Sequence, residues 1–301
     1  MVDIVIVNWN TGNFLNECLN SIIKDKSAFI NSIVIVDNNS SDNSFDCVKN
    51  YKDLQLVKLE KNFGFGKACN IGANKLKSEY ILFLNPDTRI NKDSIEKVVD
   101  FMDLKSSKKF GICGIQLLDD LGLITKSCSR FPSIIGSLFY ASGLSKFFPS
   151  FGNIMKEWSH DENREVDQVM GAFFFIRSKL FNELNGFDER FFVYYEEVDL
   201  TYRSFLKGYK SKFLADTYAY HEGGVSSSNI KAKRIFYSHR SQIQYFFKHF
   251  SIWKGFIIIS IILFIEFWAR VFLSILKFSK KNFIQTIKSY ILLLKWIINR
   301  K

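Results

Sequence analysis

The feature of this sequence that most constrains its fold is an alternation of apolar runs with longer segments of mixed polarity. Apolar runs of strand length occupy residues 4–7, 33–36, 54–59 and 80–84, and a helix-length segment follows each of them. This alternation predicts βαβ units and a mostly parallel sheet with helices on both faces. The predicted fold class is therefore α/β.

Asn, Asp or Gly residues follow each of the four runs. They are Asn8 and Asn10, then Asp37, then Asn62 and Gly64, then Asn85 and Asp87. In a parallel sheet, ligands bind beyond the carboxyl ends of the strands. The sequence therefore predicts a polar ligand site along one edge of the sheet.

The pattern is looser from about residue 111 to residue 167. Residues 136–152 are rich in Gly, Ser and Phe, and we interpret them as a long excursion that forms a lid or an acceptor-side loop. Regular structure returns with a predicted strand over residues 166–177, a helix over 196–207 and a strand over 212–220.

Three carboxylates lie within four residues at the start of that predicted helix: Glu196, Glu197 and Asp199. Crowded acids raise one another's pKa, which brings a carboxylate nearer to a useful basicity. The helix dipole also favours anions at this position, so a structural role stays open. Arg203 follows Asp199 by four residues, and we expect the two to pair on one helix face.

Asp87 and His221 each follow a predicted strand and are candidate metal ligands. A carboxylate with an imidazole suits Mn²⁺, or Mg²⁺ where water completes the coordination. Asn-Pro-Asp is also a common turn, and Asp37 opens an Asp-Asn-Asn-Ser sequence that is turn chemistry as well. A structural reading of these residues therefore stands beside the functional one.

Taken together, these residues resemble the family 2 glycosyltransferases with the GT-A fold, close to the bacterial rhamnosyltransferase-like branch, over roughly residues 2–250. The matching motifs, in chain order, are Val7-Asn8-Trp9-Asn10, Val36-Asp37-Asn38-Asn39-Ser40, Asn62-Phe63-Gly64-Phe65-Gly66, Leu84-Asn85-Pro86-Asp87-Thr88, Arg130-Phe131-Pro132, Gly171-Ala172, Gly186-Phe187-Asp188, Glu196-Glu197-Val198-Asp199-Leu200 and His221 with Gly224 and Ser226. The ordered set is specific, although each motif alone is common.

The resemblance implies transfer of a sugar from a nucleotide-diphosphate donor, with inversion at the anomeric carbon. It assigns Asp37 to the donor's base and Asp87 with His221 to a divalent cation. The other residues that it places around the donor are Asn8, Asn10, Thr11, Asn62, Gly64, Lys67 and Asn85. The nucleotide sugar and Mn²⁺ or Mg²⁺ are the expected ligands.

On the acceptor side, the resemblance makes Glu197 the general base. It groups with this base Gly171, Ala172, Glu196, Asp199 and Arg203. The chain departs from the family pattern in carrying Asn85 where the metal motif has its first Asp, Glu197 where Asp is commoner, and Gln168 where an aromatic residue is frequent. Donor and acceptor identity are left open; the branch points to rhamnose, then galactose or a similar sugar.

The net charge of +11 is confined to the C-terminal part of the chain. Residues 231–301 contain fourteen Lys and Arg and one acid, Glu266, whereas the preceding residues are close to neutral. Because the bases alternate with long apolar runs, they favour an anionic membrane surface over nucleic acid.

The tail divides into a basic amphipathic helix over residues 231–249 and apolar segments over 253–276 and 283–298. Glu266 and Arg270 lie near the middle of the first apolar segment and would be costly at bilayer depth. We therefore expect helices in the membrane interface or a shallow hairpin. Packing of these helices on the soluble body is the alternative.

These observations predict a glycosyltransferase domain over residues 1–230, with a donor half (1–110) and an acceptor half (111–230), and a membrane-attachment tail over 231–301. Five scattered cysteines without CxxC spacing indicate a reducing compartment, and the first apolar run reads as a strand and not as a secretory signal. The resemblance and the basic tail together imply a location on the cytoplasmic face of a bacterial inner membrane, with a lipid-linked saccharide as acceptor in cell-surface polysaccharide synthesis.

Two other functions compete with this reading. Gly64-Phe65-Gly66 follows a predicted strand, as in a dinucleotide-binding oxidoreductase, but Cys69 stands where that motif has its third glycine. A non-catalytic polysaccharide-binding protein is the second alternative, and the complete acid cluster argues against it.

Overall fold

The computed structural model describes residues 1–25, 27–223 and 231–299. Gly224 and Ser226 of the last motif lie outside the described residues. The strands are β1 (Val2–Asn8), β2 (Ile30–Asp37), β3 (Leu54–Lys58), β4 (Tyr80–Leu84), β5 (Thr88–Ile90), β6 (Phe110–Leu118), β7 (Cys128–Ser129), β8 (Arg164–Val166), β9 (Gln168–Val169), β10 (Phe173–Arg177) and β11 (Lys210–His221).

The helices cover both sheet faces and form the C-terminal part of the chain. They are α1 (Phe14–Asp25), α2 (Phe65–Ala73), α3 (Ser94–Asp103), α4 (Ile134–Ala141), α5 (Ser178–Glu183), α6 (Glu196–Leu206), α7 (Lys231–His249), α8 (Ile252–Ser260), α9 (Phe267–Leu276) and α10 (Lys280–Ile298). A π-helical segment, Ile261–Glu266, joins α8 to α9 without a break.

One mixed sheet organises the body, with strand order β3-β2-β1-β4-β10-β6-β11-β5 and β8 paired to β11. The four predicted strands are β1 to β4 and pair in parallel. Their carboxyl ends therefore lie at one edge of the sheet. Beyond them, β10 runs antiparallel to both β4 and β6, and β5 runs antiparallel to β11.

Two expectations about the second half of the body are corrected. The region that looked irregular contains β6, a nearly fully buried strand inside the sheet. The single strand predicted over residues 166–177 is three strands, because β8 pairs with β11, β9 pairs with β7, and the chain turns before β10 enters the main sheet. The predicted excursion over 136–152 includes most of α4.

The tail helices pack against one another and against the body. One hydrophobic cluster contains Ile258, Ile261 and Ile262 of the tail together with Phe191 and with Val198 of α6. Within the described ranges, Ile252–Leu276 is the one helix long and apolar enough to cross a membrane, a test of length and composition only. The tail helices therefore pack on the body, although much of the apolar helix Ile252–Leu276 is not buried there.

Glu266 and Arg270, which looked costly for a membrane segment, are turned into the helical bundle. Glu266 is 5% exposed and accepts hydrogen bonds from Arg270 Nε at 2.8 Å, while His239 Nε2 lies 3.1 Å from the same carboxylate oxygen. Tyr290 donates to the carbonyl of Ile262 in the π-helical segment, 3.1 Å away. The Glu266 carboxylate and the Tyr290 hydroxyl therefore have hydrogen-bond partners inside the bundle.

Replacing Glu266 by Ala should lower the free energy of unfolding by about 1.5–3 kcal/mol, because the partly exposed Arg270 and the buried His239 would lose their common partner. Urea denaturation followed by circular dichroism measures this loss. Glu183→Ala is the matched control: it breaks a half-exposed pair with Lys207, 3.4 Å apart, and should cost about 0–1 kcal/mol. Equal losses in the two variants would contradict the buried network.

Candidate functional site

A buried polar network fixes the edge where β1 and β2 end. Asn8 is fully buried, and its Nδ2 donates to Asp37 Oδ1 at 3.1 Å and to Ser44 Oγ at 2.9 Å. Thr11 Oγ1 donates to Asn8 Oδ1 at 2.5 Å, and Ser40 Oγ donates to Asp37 Oδ1 at 2.6 Å. The Asp37 carboxylate is thereby held in one orientation at the end of β2.

Asn10 holds the turn that follows Asp37. Its backbone is left-handed, with φ of 52°, and its Oδ1 accepts hydrogen bonds from the backbone N–H of Ser41 at 2.7 Å and of Asp42 at 3.2 Å. The structure thus gives Asn10 a turn-stabilising contact, and Asn8 and Thr11 belong to the network beneath it.

The loop before α2 reaches across to the segment that precedes α6. Asn62 Oδ1 accepts from Gly64 N at 2.9 Å, and Phe65 N donates to the carbonyl of Phe192 at 2.7 Å. Gly64 has φ of +89°, and a Cβ there would lie 2.3 Å from Phe192 O. Lys67 pairs with Glu189 at 2.8 Å. Only glycine fits at position 64, where the backbone lies against the Phe192 carbonyl.

Asp87 and His221 lie side by side because β5 and β11 pair with Thr88 opposite His221. The distance between Asp87 Oδ1 and His221 Nε2 is 3.4 Å, and the two side chains are 9% and 13% exposed. No group of three or more His, Cys, Asp or Glu side chains suited to a metal occurs in the part of the chain that the structure describes. One carboxylate and one imidazole do fit a cation that takes its remaining ligands from phosphate oxygens and water.

Gly171 and Ala172 connect the Asp87 loop to the acid cluster. Asn85 N donates to the Ala172 carbonyl at 3.0 Å. A Cβ on Gly171 would lie 3.6 Å from the Cγ of Glu197. The loop after β4, the turn before β10 and the start of α6 therefore converge at one edge of the sheet.

Glu197 is a partly exposed side chain whose Oε2 is buried, and no hydrogen-bond partner of this atom occurs among the described residues. Burial raises the pKa of Glu197. Two left-handed residues, Tyr194 and Tyr195, with φ of 67° and 72°, precede the helix that carries it. Such backbone strain is retained where surrounding contacts enforce it.

Glu196 faces a different direction from Glu197. Glu196 is 5% exposed, and its Cβ would lie 3.4 Å from a Cβ placed on Gly66 of α2. Burial and the neighbouring Glu197 carboxylate raise the pKa of Glu196 well above its ordinary value. Its side chain therefore packs beneath α2, and its predicted place beside an acceptor has no support in these contacts.

The structure corrects the acceptor-side placement of Asp199 and Arg203. The predicted pair is present, with Arg203 Nε 2.7 Å from Asp199 Oδ2, but the Asp199 side chain has no exposure. Its Oδ1 also accepts from Lys248 Nζ at 2.6 Å and lies 2.6 Å from His249 Nε2. Burial acts to raise the pKa of Asp199, and these partners outweigh it and lower the pKa to about 2. This carboxylate is occupied by protein cations.

Arg203 is equally occupied by the protein. Its guanidinium donates to the carbonyls of Leu184 at 2.6 Å and of Gly186 at 2.8 Å. These contacts tie α6 to the chain that follows α5. Arg203 is therefore a structural residue.

Helix α7 also holds the segment before Glu197, a role that the sequence analysis did not predict. Ser241 Oγ donates to the Val193 carbonyl at 3.0 Å, and the ring of Tyr237 stacks on Phe192 at 4.8 Å. These partners are far apart in sequence, and the only signal was the amphipathic pattern of α7. The tail thus contributes directly to the position of the acid cluster.

Comparisons with known proteins give matches over most of the chain. A model of glycosyl transferase family 2 matches residues 3–107, and a model of glycosyl transferase family group 2 matches residues 80–299. The N-acetylglucosaminyl-diphospho-decaprenol L-rhamnosyltransferase of Mycobacterium tuberculosis is 25% identical over 256 residues, covering 80% of this chain and 82% of the relative. The rhamnosyltransferase WbbL of Escherichia coli is 28% identical over 236 residues, covering 74% and 85%.

Solved structures share the fold at low identity. The mannosyltransferase PcManGT from Pyrobaculum calidifontis, in complex with GDP-Man and Mn²⁺, has a TM-score of 0.61 at 13% identity and covers 100% of this chain and 88% of its own. TarS from Staphylococcus aureus, in complex with UDP-GlcNAc, has a TM-score of 0.55 at 18% identity, covering 95% and 79%. The predicted GT-A type of α/β fold is confirmed.

Replacing Gly64 by Ala should destabilise the protein more than the same change at Gly122. Both glycines have positive φ, 89° and 77°, but a Cβ meets the Phe192 carbonyl at Gly64 and nothing within 4 Å at Gly122. We expect a loss of about 1–2 kcal/mol from backbone strain at each site and about 1–3 kcal/mol more at Gly64. Urea unfolding curves of the two variants measure the difference, and equal midpoints would refute the close contact.

Proposed function

This chain belongs to family 2 of the glycosyltransferases, in the rhamnosyltransferase-like branch, and we propose that it transfers the sugar of a nucleotide-diphosphate donor with inversion at the anomeric carbon. The observation that carries the proposal is the convergence at one sheet edge of the Asp87–His221 pair and Glu197, connected by Gly171 beside Glu197 and by Ala172, which accepts a hydrogen bond from Asn85 N. Family membership argues against the oxidoreductase alternative, and the Gly64 loop would then line a nucleotide-sugar site.

The donor site is proposed at the ends of β1 to β4. Asp37, held by Asn8, would accept hydrogen bonds from the base or ribose, and the loop from Asn62 to Lys67 would line the nucleotide pocket. Asp87 and His221 would hold Mn²⁺ or Mg²⁺, which neutralises charge on the leaving diphosphate. Both side chains are largely shielded from water, which strengthens their electrostatic effect.

The general base is proposed to be Glu197. It would take the proton of the acceptor hydroxyl while that oxygen bonds to the anomeric carbon and the bond from this carbon to the diphosphate breaks. A raised pKa brings a carboxylate closer to the basicity that this proton transfer needs. One base and no covalent glycosyl intermediate suffice for a direct displacement, which inverts the anomeric centre.

We propose that the acceptor is a lipid-linked saccharide of a cell-surface polysaccharide. One relative is named for rhamnose transfer to N-acetylglucosaminyl-diphospho-decaprenol, a lipid-linked sugar. The basic apolar tail would attach the enzyme to the cytoplasmic face of the membrane. Assays of dTDP-rhamnose, UDP-hexoses and UDP-galactofuranose with Mn²⁺ and a lipid-linked acceptor identify the donor; no turnover of any nucleotide sugar would refute the proposal.

The domain boundaries remain a proposal of the same kind. Residues 1–110 would form the donor half, residues 111–230 the acceptor half, and residues 231–301 the membrane-attached tail. The contacts of α7 with Val193 and Asp199 support a tail that is also part of the catalytic half.

Glu197→Gln should abolish transfer, with a loss of about 10²–10⁴-fold or more, because the amide cannot accept the proton. Donor binding should persist, because the change leaves the Asp37 and Asp87 sites intact. Release of nucleotide diphosphate measures transfer, and a thermal shift with the donor measures binding. Glu183→Gln, a half-exposed acid on α5, is the control and should keep full activity.

The wild-type rate should also rise with pH through the raised pKa of Glu197, because the base works deprotonated, and should be lost as the pH falls below it. A Glu197→Gln enzyme with normal turnover would defeat the assignment.

Asp87→Ala and His221→Ala should each raise the Mn²⁺ concentration needed for half-maximal activity by about tenfold or more, since each removes one of two proposed protein ligands. Titration of transfer against Mn²⁺ measures the shift. Asp161→Ala is the control, because this exposed carboxylate accepts a hydrogen bond from the nearby Ser159 Oγ. An unchanged titration in either site variant would count against that residue as a ligand.

A further inference from the structure

The segment that includes α4 carries an exposed apolar surface in addition to that of the tail. Aromatic and aliphatic side chains that are 42% to 79% exposed occur along it: Ile135, Tyr140, Leu144, Phe147, Phe148 and Phe151. Contiguous exposed apolar surface of this kind marks an interaction site in a soluble protein. Residues 133–154 are called the aromatic excursion below.

The aromatic excursion is packed directly on the tail. The inner side of α4, with Ala141 buried and Leu138 partly buried, joins the hydrophobic cluster that contains Ile258 and Ile261. Gln242 of α7 donates to Ser137 Oγ at 3.0 Å. The excursion and the tail therefore form one packed unit.

The outer side of the tail is apolar as well. Five aromatic side chains of Ile252–Leu276 are 51% to 73% exposed: Trp253, Phe256, Phe264, Trp268 and Phe272. A groove of about 360 Å³ runs between Trp253, Phe256 and Phe264. Together with the aromatic excursion, these side chains form what we call the outer apolar face.

The two segments that form this face carry exposed charge of one sign. Residues 131–156 contain Lys146 and Lys156 and no acid, and the single acid of the tail, Glu266, is buried against Arg270 and His239. The exposed charges carried by these two segments are therefore positive. Trp and Tyr are also the residues that favour the boundary between lipid and water.

We propose that the outer apolar face docks into an anionic lipid bilayer, with the aromatic excursion as a second anchor beside the tail. Apolar area supplies binding by insertion at the acyl boundary, and the basic residues add attraction to anionic head groups. A protein lying in the interface does not need to carry Glu266 across the membrane, because the Glu266 network faces inward.

This docking also gives the lipid-linked acceptor a route to the base, a step that rests on the proposed function. Neighbouring residues of α7 contact both places: Gln242 binds Ser137 of the excursion, and Ser241 binds Val193, four residues before Glu197. The membrane-facing unit and the catalytic segment are thus joined through one turn of helix. An acceptor sugar could be reached while its lipid stays in the bilayer.

Co-sedimentation of the full chain with vesicles tests the proposal. The vesicles are phosphatidylcholine with and without phosphatidylglycerol. A Phe147→Ser, Phe148→Ser double variant should bind the anionic vesicles about tenfold more weakly than the wild type, because two exposed rings no longer insert. Leu56→Ser, Leu104→Ser is the matched control, with side chains 48% and 52% exposed outside the face, and should bind as the wild type does.

A direct reading of insertion comes from Phe147→Trp. Its added fluorescence should be quenched by brominated lipid, beyond the quenching of the native tryptophans. Unchanged vesicle binding of the double variant, or no added quenching in Phe147→Trp, would overturn the excursion as an anchor. A lipid-free dimer that vesicles do not dissociate would also overturn it, by showing a second copy of the chain on this face.

Donor hydrolysis without vesicles separates this proposal from the catalytic one. A wild-type protein that binds vesicles but turns over no donor would refute the proposed function and leave the docking intact.

Discussion

The buried carboxylate of Asp199 is the interaction on which the rest of the structure depends. It binds Arg203 on its own helix and Lys248 and His249 on α7, all within 2.7 Å. A buried carboxylate is stable only when partners offset its loss of hydration, and here the partners come from two parts of the chain. The tail is therefore joined to the helix that begins with the acid cluster, and it cannot be regarded as an anchor alone.

Three acids within four residues take opposite roles because their surroundings differ. Cations hold the pKa of Asp199 at about 2, whereas burial without such partners raises the pKa of Glu196 and Glu197. Environments that separate the pKa values of neighbouring acids are how one element supplies both a fixed anion and a proton acceptor. The charge of Asp199 holds α6 against α7, whereas Glu197 is the proposed proton acceptor.

The parts of this arrangement that the sequence could predict are local ones. Strands β1 to β4, the polar residues after them and the start of α6 follow from periodicity and turn chemistry. Strand β6 was missed because Gly111 and Gly114 weaken its strand signal, although both are needed for space: a Cβ would lie 2.3 Å from Leu180 and 2.6 Å from Val169. Of the partners of Asp199, Arg203 was predicted, whereas Lys248 and His249 were missed because they lie about fifty residues away and no short-range pattern encodes such a contact.

The segment before Glu197 is held from both sides, and this constrains how the proposed site can work. The loop at Gly64 binds the Phe192 carbonyl from the donor side, and Ser241 binds the Val193 carbonyl from the tail. The strained backbone of Tyr194 and Tyr195 lies between these contacts and the base. A displacement of either the Gly64 loop or α7 would therefore act on this short segment, and at the proposed site we expect donor binding and the position of α7 to affect the orientation of Glu197.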